Sequence, residues 1–172
     1  MIMKPLPIVI MGESCLGSCP SSVKVLDFGA GAGRNAIFLA DKGYQVTAVD
    51  KNLDTLNKIP ERSNLSTKCL DVTKWQIPET FDFVIATNIL HFFDTKTACD
   101  CLDNIIKATS KNGIIAFSYI LDNKEMPSGL LEKLTLHYQQ IASTTKTVND
   151  LGHPGMAKPH KHQIFYFLGR KI

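Results

Sequence analysis

Apolar residues in this chain fall into blocks of two spacings. Val46-Thr47-Ala48-Val49, Phe81-Asp82-Phe83-Val84-Ile85-Ala86-Thr87 and Ile114-Ile115-Ala116-Phe117-Ser118-Tyr119-Ile120 are short apolar or alternating runs, as buried strands require. Val25-Leu26, residues 66–70 and residues 163–168 add three more, and 140–148 alternates as an exposed strand would. Between the runs, Ala36, Ile37, Leu39 and Ala40 recur at helical spacing within 35–42, and Ala98, Leu102, Ile105, Ile106 and Ala108 do so within 96–109. Gly43 ends the first of these helices, and Pro60 limits a short one over 52–58. Asn112-Gly113 predicts a turn, and Pro127 opens a helix over 127–138. Residues 1–22, with Gly12, Gly17, Pro20 and several serines, read as turn-rich, without an amphipathic helix. Strands alternating with helices predict a doubly wound α/β sandwich.

The chemistry concentrates where the first strand ends. Val25-Leu26-Asp27-Phe28 runs into Gly29-Ala30-Gly31-Ala32-Gly33 and then a helix beginning with Arg34-Asn35. A dinucleotide fold needs Gly-x-Gly-x-x-Gly, so that a pyrophosphate can rest on backbone N–H groups. Here the third glycine comes one residue early, and a carboxylate precedes the first. That acid would repel a pyrophosphate but suits a ligand with an ammonium or sulfonium charge, and S-adenosylmethionine carries both. Asp50 ends the second strand, about 20 residues past the central glycine, where an acid reaches ribose hydroxyls. Other readings stay open for each piece. The glycines could make a tight turn only, Asp50 could cap the helix starting near Asn52, and Asp71 could cap a turn.

In order, Asp27, Gly29, Gly31, Gly33 and Asp50 resemble the pattern of class I S-adenosylmethionine-dependent methyltransferases. Thr67-Lys68-Cys69-Leu70-Asp71-Val72 resembles that family's third strand, and Phe81 to Phe92 its fourth strand and following loop. Arg34-Asn35, with the Gly152-His153-Pro154-Gly155 and His160-x-His162 segments, is similar to the small TehB-like, tellurite-resistance type. The resemblance implies a Rossmann-like, three-layer α/β sandwich around a seven-stranded sheet with an antiparallel last strand. It implies S-adenosylmethionine as cofactor, with Asp27, Gly29, Ala30, Gly31, Arg34, Asn35, Asp50, Lys51, Asp71, Val72 and Thr87 as its binding residues. Within that set Asp27 would hold the methionine ammonium directly or through water. Asp50 would take the ribose, and Asp71 and Val72 the adenine. Relatives close a helical segment over the cofactor. Residues 1–22 therefore read as a short leader or partial lid, and 23–172 as the methyltransferase domain.

Methyl transfer from a sulfonium rests on alignment in a dry pocket. A soft sulfur, selenium or tellurium anion needs no base, whereas a protonated acceptor does, and His91 and His153 are the catalytic candidates. His153, His160 and His162 lie in one stretch, but no cysteine or carboxylate stands nearby at ligand spacing, so local hydrogen bonds are favoured over a metal. The five cysteines are odd in number and irregular in spacing, which disfavours a disulfide framework and fits a reducing cytoplasm. Cys69, in an apolar strand, reads as core.

A net charge of +3 without a basic stripe, and Thr87-Asn88-Ile89-Leu90 in place of a base-flipping motif, argue against nucleic acid. No apolar run approaches a membrane span, so the chain reads as cytoplasmic with a small-molecule methyl acceptor as partner. Its oligomeric state is not encoded in these patterns. The alternatives are a non-catalytic S-adenosylmethionine-binding protein and, against the glycine spacing, a nicotinamide-dependent oxidoreductase.

Overall fold

Alternate residues of the central strands reach opposite faces of one sheet, and each face is covered by its own helices. The elements are α1 (Pro7–Glu13), β1 (Lys24–Phe28), α2 (Arg34–Asp41), β2 (Gln45–Asp50), α3 (Leu53–Leu56), β3 (Leu65–Cys69), β4 (Phe81–Thr87), α4 (Thr95–Ala108), β5 (Thr109–Ile120), α5 (Ser128–His137), β6 (Tyr138–Asp150) and β7 (His160–Lys171). They come from a computed structural model that describes residues 4–122, 125–150 and 158–172. The strand order is β3-β2-β1-β4-β5-β7-β6. β7 runs antiparallel to both neighbours, and the other pairings are parallel.

Leu26, Val84, Ala86, Ile115, Phe117 and Phe167 pack with Leu102, Ile105, Leu130 and Leu134 of α4 and α5. Their strand neighbours Val25, Phe83, Ile85, Ala116 and Leu168 pack with Val9, Ala36, Leu39 and Leu56 of α1, α2 and α3. This two-residue alternation yields the three layers, as the sequence pattern predicts. Helix ends are closed locally. Asp94 accepts the Thr97 N–H at the start of α4, and the Lys171 ammonium donates to the Ile106 and Thr109 carbonyls at its end. The Asn112-Gly113 turn survives as an irregularity inside β5. Asn112 has φ +64, and pairing with β4 steps from Phe81–Thr109 to Phe83–Ile114.

Two expectations are corrected. Pro7–Glu13 is helical, with Ile8 and Val9 buried against the sheet. The Asn35 side chain accepts the Leu6 N–H at 3.1 Å and fixes where this helix enters. Cys69 is exposed, because β3 is the edge of the sheet, where the helical layers no longer cover both faces. Gly12 lets α1 approach closely: a Cβ there would lie 2.6 Å from the fully buried Phe83 ring.

Gly12→Ala should therefore destabilise the fold. Overpacking costs about 1–3 kcal/mol, against about 1 kcal/mol gained from helix propensity. A lowered midpoint in urea denaturation is expected, and a raised midpoint would mean that α1 does not sit this close to the sheet.

Candidate functional site

The strand order reverses between β1 and β4, and there a doubly wound sheet leaves a crevice beyond the C-terminal ends of its strands. The loop leaving β1 is held by the end of β2. The Gly29 and Ala30 N–H groups both donate to the Val49 carbonyl at 2.9 Å, and the Gly31 N–H donates to Asp50 Oδ2 at 2.9 Å. The other oxygen of Asp50 accepts the Asn52 N–H at 2.9 Å. Gly31 has φ +54, and a Cβ there would meet nothing within 4 Å, so bare backbone faces open space. At Gly29, φ is +81 and a Cβ would strike Ile89 at 2.8 Å.

A cleft of about 660 Å³ opens beside this loop. Gly29, Gly31, Asp50, Lys51, Asn52, Thr55 and Asp71 line its polar side, and Val72, Ile89, Phe92 and Phe93 its apolar side. A smaller recess of about 220 Å³ shares Gly29 and Gly31 and is lined by Ala30, Ala32, Arg34, Asn35, Thr87 and Asn88. Ten of the eleven sequence-predicted binding residues thus border one recess or the other.

Asp27 borders neither recess. It is 2% exposed, and its Oδ2 accepts the Ala36 N–H at 3.1 Å inside the first turn of α2. Burial raises its carboxyl to about 7, although the Ala36 hydrogen bond and the Arg34 charge pull the other way. Asp71 reaches the cleft, but its Oδ1 accepts the Thr73 hydroxyl at 2.7 Å and the Thr73 N–H at 3.0 Å. Those bonds hold its carboxyl below the usual range. Asn35 is buried and ties three elements, since its amide also donates to Thr87 Oγ1 at 3.5 Å.

His91 lies on the turn after β4, with its ring 4.0 Å from Phe92 and 6.1 Å from Tyr119. Its Nδ1 is buried and has no hydrogen-bond partner among the described residues. Burial pushes its pKa down to about 4; Asp122 opposes this and His162 adds to it. His153 lies outside the described residues. His160 and His162 alternate on β7, which starts before the expected 163–168, and their Nε2 atoms are 2.8 Å apart.

Sequence reasoning did not single out Asn52, Thr55, Phe92 and Phe93 as cleft residues. The adjacent aromatic pair between β4 and α4 was the available signal. Phe92 is 73% exposed and lines the cleft's apolar side. Asn88 is recognisable only in three dimensions. It adopts φ +54, and its amide oxygen accepts the Ser118 hydroxyl at 2.7 Å.

The family model of the tellurite resistance protein TehB matches residues 18–148, most of the chain and all of the cleft. The chain belongs to the TehB family. It is 31% identical over 115 residues to a probable S-adenosyl-L-methionine-dependent methyltransferase TehB of Haemophilus influenzae. That match covers 64% of this chain and 40% of the relative, so the aligned part is less than half of that protein. The crystal structure of TehB from Haemophilus influenzae has the same fold, with a TM-score of 0.82 at 20% identity over 98% of this chain and 63% of that one. The N-methyltransferase NodS from Bradyrhizobium japonicum, solved with S-adenosyl-L-homocysteine, shares it at a TM-score of 0.69 and 15% identity, covering 87% of this chain and 78% of that one. Rossmann-like topology with an antiparallel last strand is thereby the fold of this chain.

The buried Asp27 carries a pH signature. Burial raises its carboxyl from an ordinary 3.8 to about 7, so between those pH values only the folded chain keeps the proton. Stability is full below the lower value, falls by roughly 4 kcal/mol as the pH rises towards the upper one, and is flat above it. Asp27→Asn keeps the acceptor for Ala36 and removes the slope. Denaturation midpoints at about pH 5 and about pH 8 should differ less in the variant; equal differences would place an ordinary carboxyl there.

Proposed function

We propose that this chain binds S-adenosylmethionine along the Gly29–Gly31 loop and directs its methyl group to a small-molecule acceptor. One observation carries the reading. A glycine backbone pinned by a strand-end carboxylate forms the head of a cleft that is polar on one side and apolar on the other. That combination suits a nucleoside, whose ribose hydroxyls need acceptors and whose base needs an apolar face.

Each Asp50 oxygen accepts one backbone N–H and keeps a lone pair for a ribose hydroxyl. Val72 and the Phe92–Phe93 pair flank the adenine, with Asp71 at its amino group and Lys51 at the rim. The methionine end enters the smaller recess, where Arg34 answers its carboxylate. Asp27 acts there through water and by fixing the start of α2. The relative's printed name, which gives S-adenosyl-L-methionine and methyl transfer, supports the same assignment. Apolar walls around the sulfonium reduce competing hydration, so alignment and dryness are the main catalytic devices. A soft sulfur, selenium or tellurium nucleophile fits such a site and agrees with the family description.

Calorimetry tests the assignment. S-adenosylmethionine should bind at micromolar concentration and NAD should not. Asp50→Ala should weaken binding by about 1–3 kcal/mol through loss of a charge-assisted hydrogen bond. Unaltered affinity in a folded variant, or equal affinity for NAD, would contradict it.

A further inference from the structure

One side chain at the head of the site is held at its oxygen and left open at its nitrogen. Asn88 is the first residue past β4, whose last pair with β5 is Thr87–Ser118. It adopts φ +54, a conformation that asparagine tolerates better than most residues. Ser118, fully buried, holds it there. The Asn88 N–H donates to the Ser118 carbonyl at 3.3 Å and to its Oγ at 3.0 Å, and the Ser118 hydroxyl donates to Asn88 Oδ1 at 2.7 Å.

That hydroxyl fixes which way the amide faces. It has one hydrogen, and Asn88 Oδ1 is the acceptor it meets among the described residues. With the amide turned over, the hydrogen would be buried without a partner. The amide oxygen is therefore committed to Ser118, and the NH2 group points away from it. Asn88 Nδ2 has no partner among the described residues, where His91 Nδ1 is the one side-chain polar atom both buried and unpartnered. Nδ2 is thus accessible, and Asn88 lines the smaller recess beside Arg34 and Thr87. An amide nitrogen donates and does not accept, so this recess carries a neutral group with two hydrogens to give.

The two recesses place Asn88 relative to the reaction. They share Gly29 and Gly31. Asn88 borders the smaller one, and the next residue, Ile89, borders the cleft and covers Gly29, where an added Cβ would lie 2.8 Å from it. Residues 88–89 thus flank the junction. On the methyltransferase reading above, the cleft takes the nucleoside and the recess the amino-acid end, so the sulfonium between them belongs at that junction. An N–H donor offers nothing to a sulfonium or an ammonium group. The full charge of Arg34 is the stronger partner for the cofactor's carboxylate. What remains for the Asn88 NH2 group is a lone pair on the incoming acceptor.

We propose that the Asn88 amide is a specificity-determining donor for the methyl acceptor. It binds an oxygen carried beside the nucleophilic atom, and so selects oxygen-bearing acceptors over amines and plain alkyl compounds. A protonated amine has no lone pair for this donor, and Asn88 Oδ1, which could receive an amine N–H, is turned to Ser118 instead. An alkyl group would strip the donor of water and leave it unpaired, which is the arrangement that discriminates most strongly between substrates.

The test uses the full chain, methyl-labelled S-adenosylmethionine, and two thiols of similar size, mercaptoacetate and ethanethiol. In either reaction a lone pair of the thiol sulfur forms the bond to the methyl carbon. The sulfonium carbon–sulfur bond breaks with its electrons left on sulfur, and the thiol proton goes to water. The ratio of kcat/KM for the two thiols is compared between wild type and variants, which cancels each thiol's own reactivity. Asn88→Asp keeps an oxygen for Ser118 and replaces the donor by an acceptor. Asn88→Gly accepts the positive φ and removes the donor without adding a charge. Both should lower the mercaptoacetate-to-ethanethiol ratio, by roughly 10–100-fold, and an unchanged ratio overturns the proposal.

Side-chain amide NMR of the chain loaded with S-adenosylhomocysteine reads the contact without turnover. The Asn88 NH2 signals, identified by their loss in Asn88→Asp, should move on addition of mercaptoacetate and stay in place on addition of ethanethiol. Signals that ignore mercaptoacetate overturn the proposal, whether or not either thiol is methylated. If they move with S-adenosylhomocysteine alone, the donor serves the cofactor's carboxylate instead. Failure of the methyltransferase reading shows separately, as absence of S-adenosylmethionine binding in calorimetry.

Discussion

The site depends on three hydrogen bonds that pin the exit of β1 to the end of β2. The N–H groups of Gly29 and Ala30 share the Val49 carbonyl, and Gly31 donates to the Asp50 carboxylate. Together they turn the chain sharply at the point where the strand order reverses, and they leave glycine backbone facing the cleft. Without the turn α2 could not start where it does, and the two recesses would not meet at Gly29 and Gly31. The parallel pairing of β1 with β2 and β4 is what brings the acid of one strand to the loop of the other.

The acids of this region carry structural and chemical duties in different proportions. Asp50 spends one lone pair per oxygen on backbone donors and stays at the cleft. Asp71 is more committed, since one oxygen serves Thr73 twice. Asp27 is internal, and its Oδ2 is taken by the Ala36 N–H in the first turn of α2. A carboxylate without a charged partner is unstable in such a place, so a cationic ligand group near α2 would help to ionise it.

Much of this arrangement was legible in the chain. The two-residue alternation of Val84-Ile85-Ala86 and Ile115-Ala116-Phe117 sends successive side chains to the two helical layers. The glycine run and its two acids located the loop, and most of the expected binding residues line the recesses. What stayed hidden depends on contacts distant in sequence. Gly12 reads as a turn residue, yet it serves the approach of a helix to Phe83. Cys69 looks like core until its strand is placed at the edge. The partner of His162, Asp122, is 40 residues away and meets it only because β7 returns beside β5. Phe92 and Phe93 follow neither spacing, because a short turn rather than a helix or strand carries them to the cleft.

A crystal structure of the chain with S-adenosylhomocysteine tests the central claim most directly. The ribose hydroxyls should lie within hydrogen-bond distance of Asp50, the adenine against Val72, and the amino-acid end in the recess bordered by Arg34 and Thr87. A ligand bound elsewhere, or one that leaves the Gly29–Gly31 loop untouched, would contradict the account.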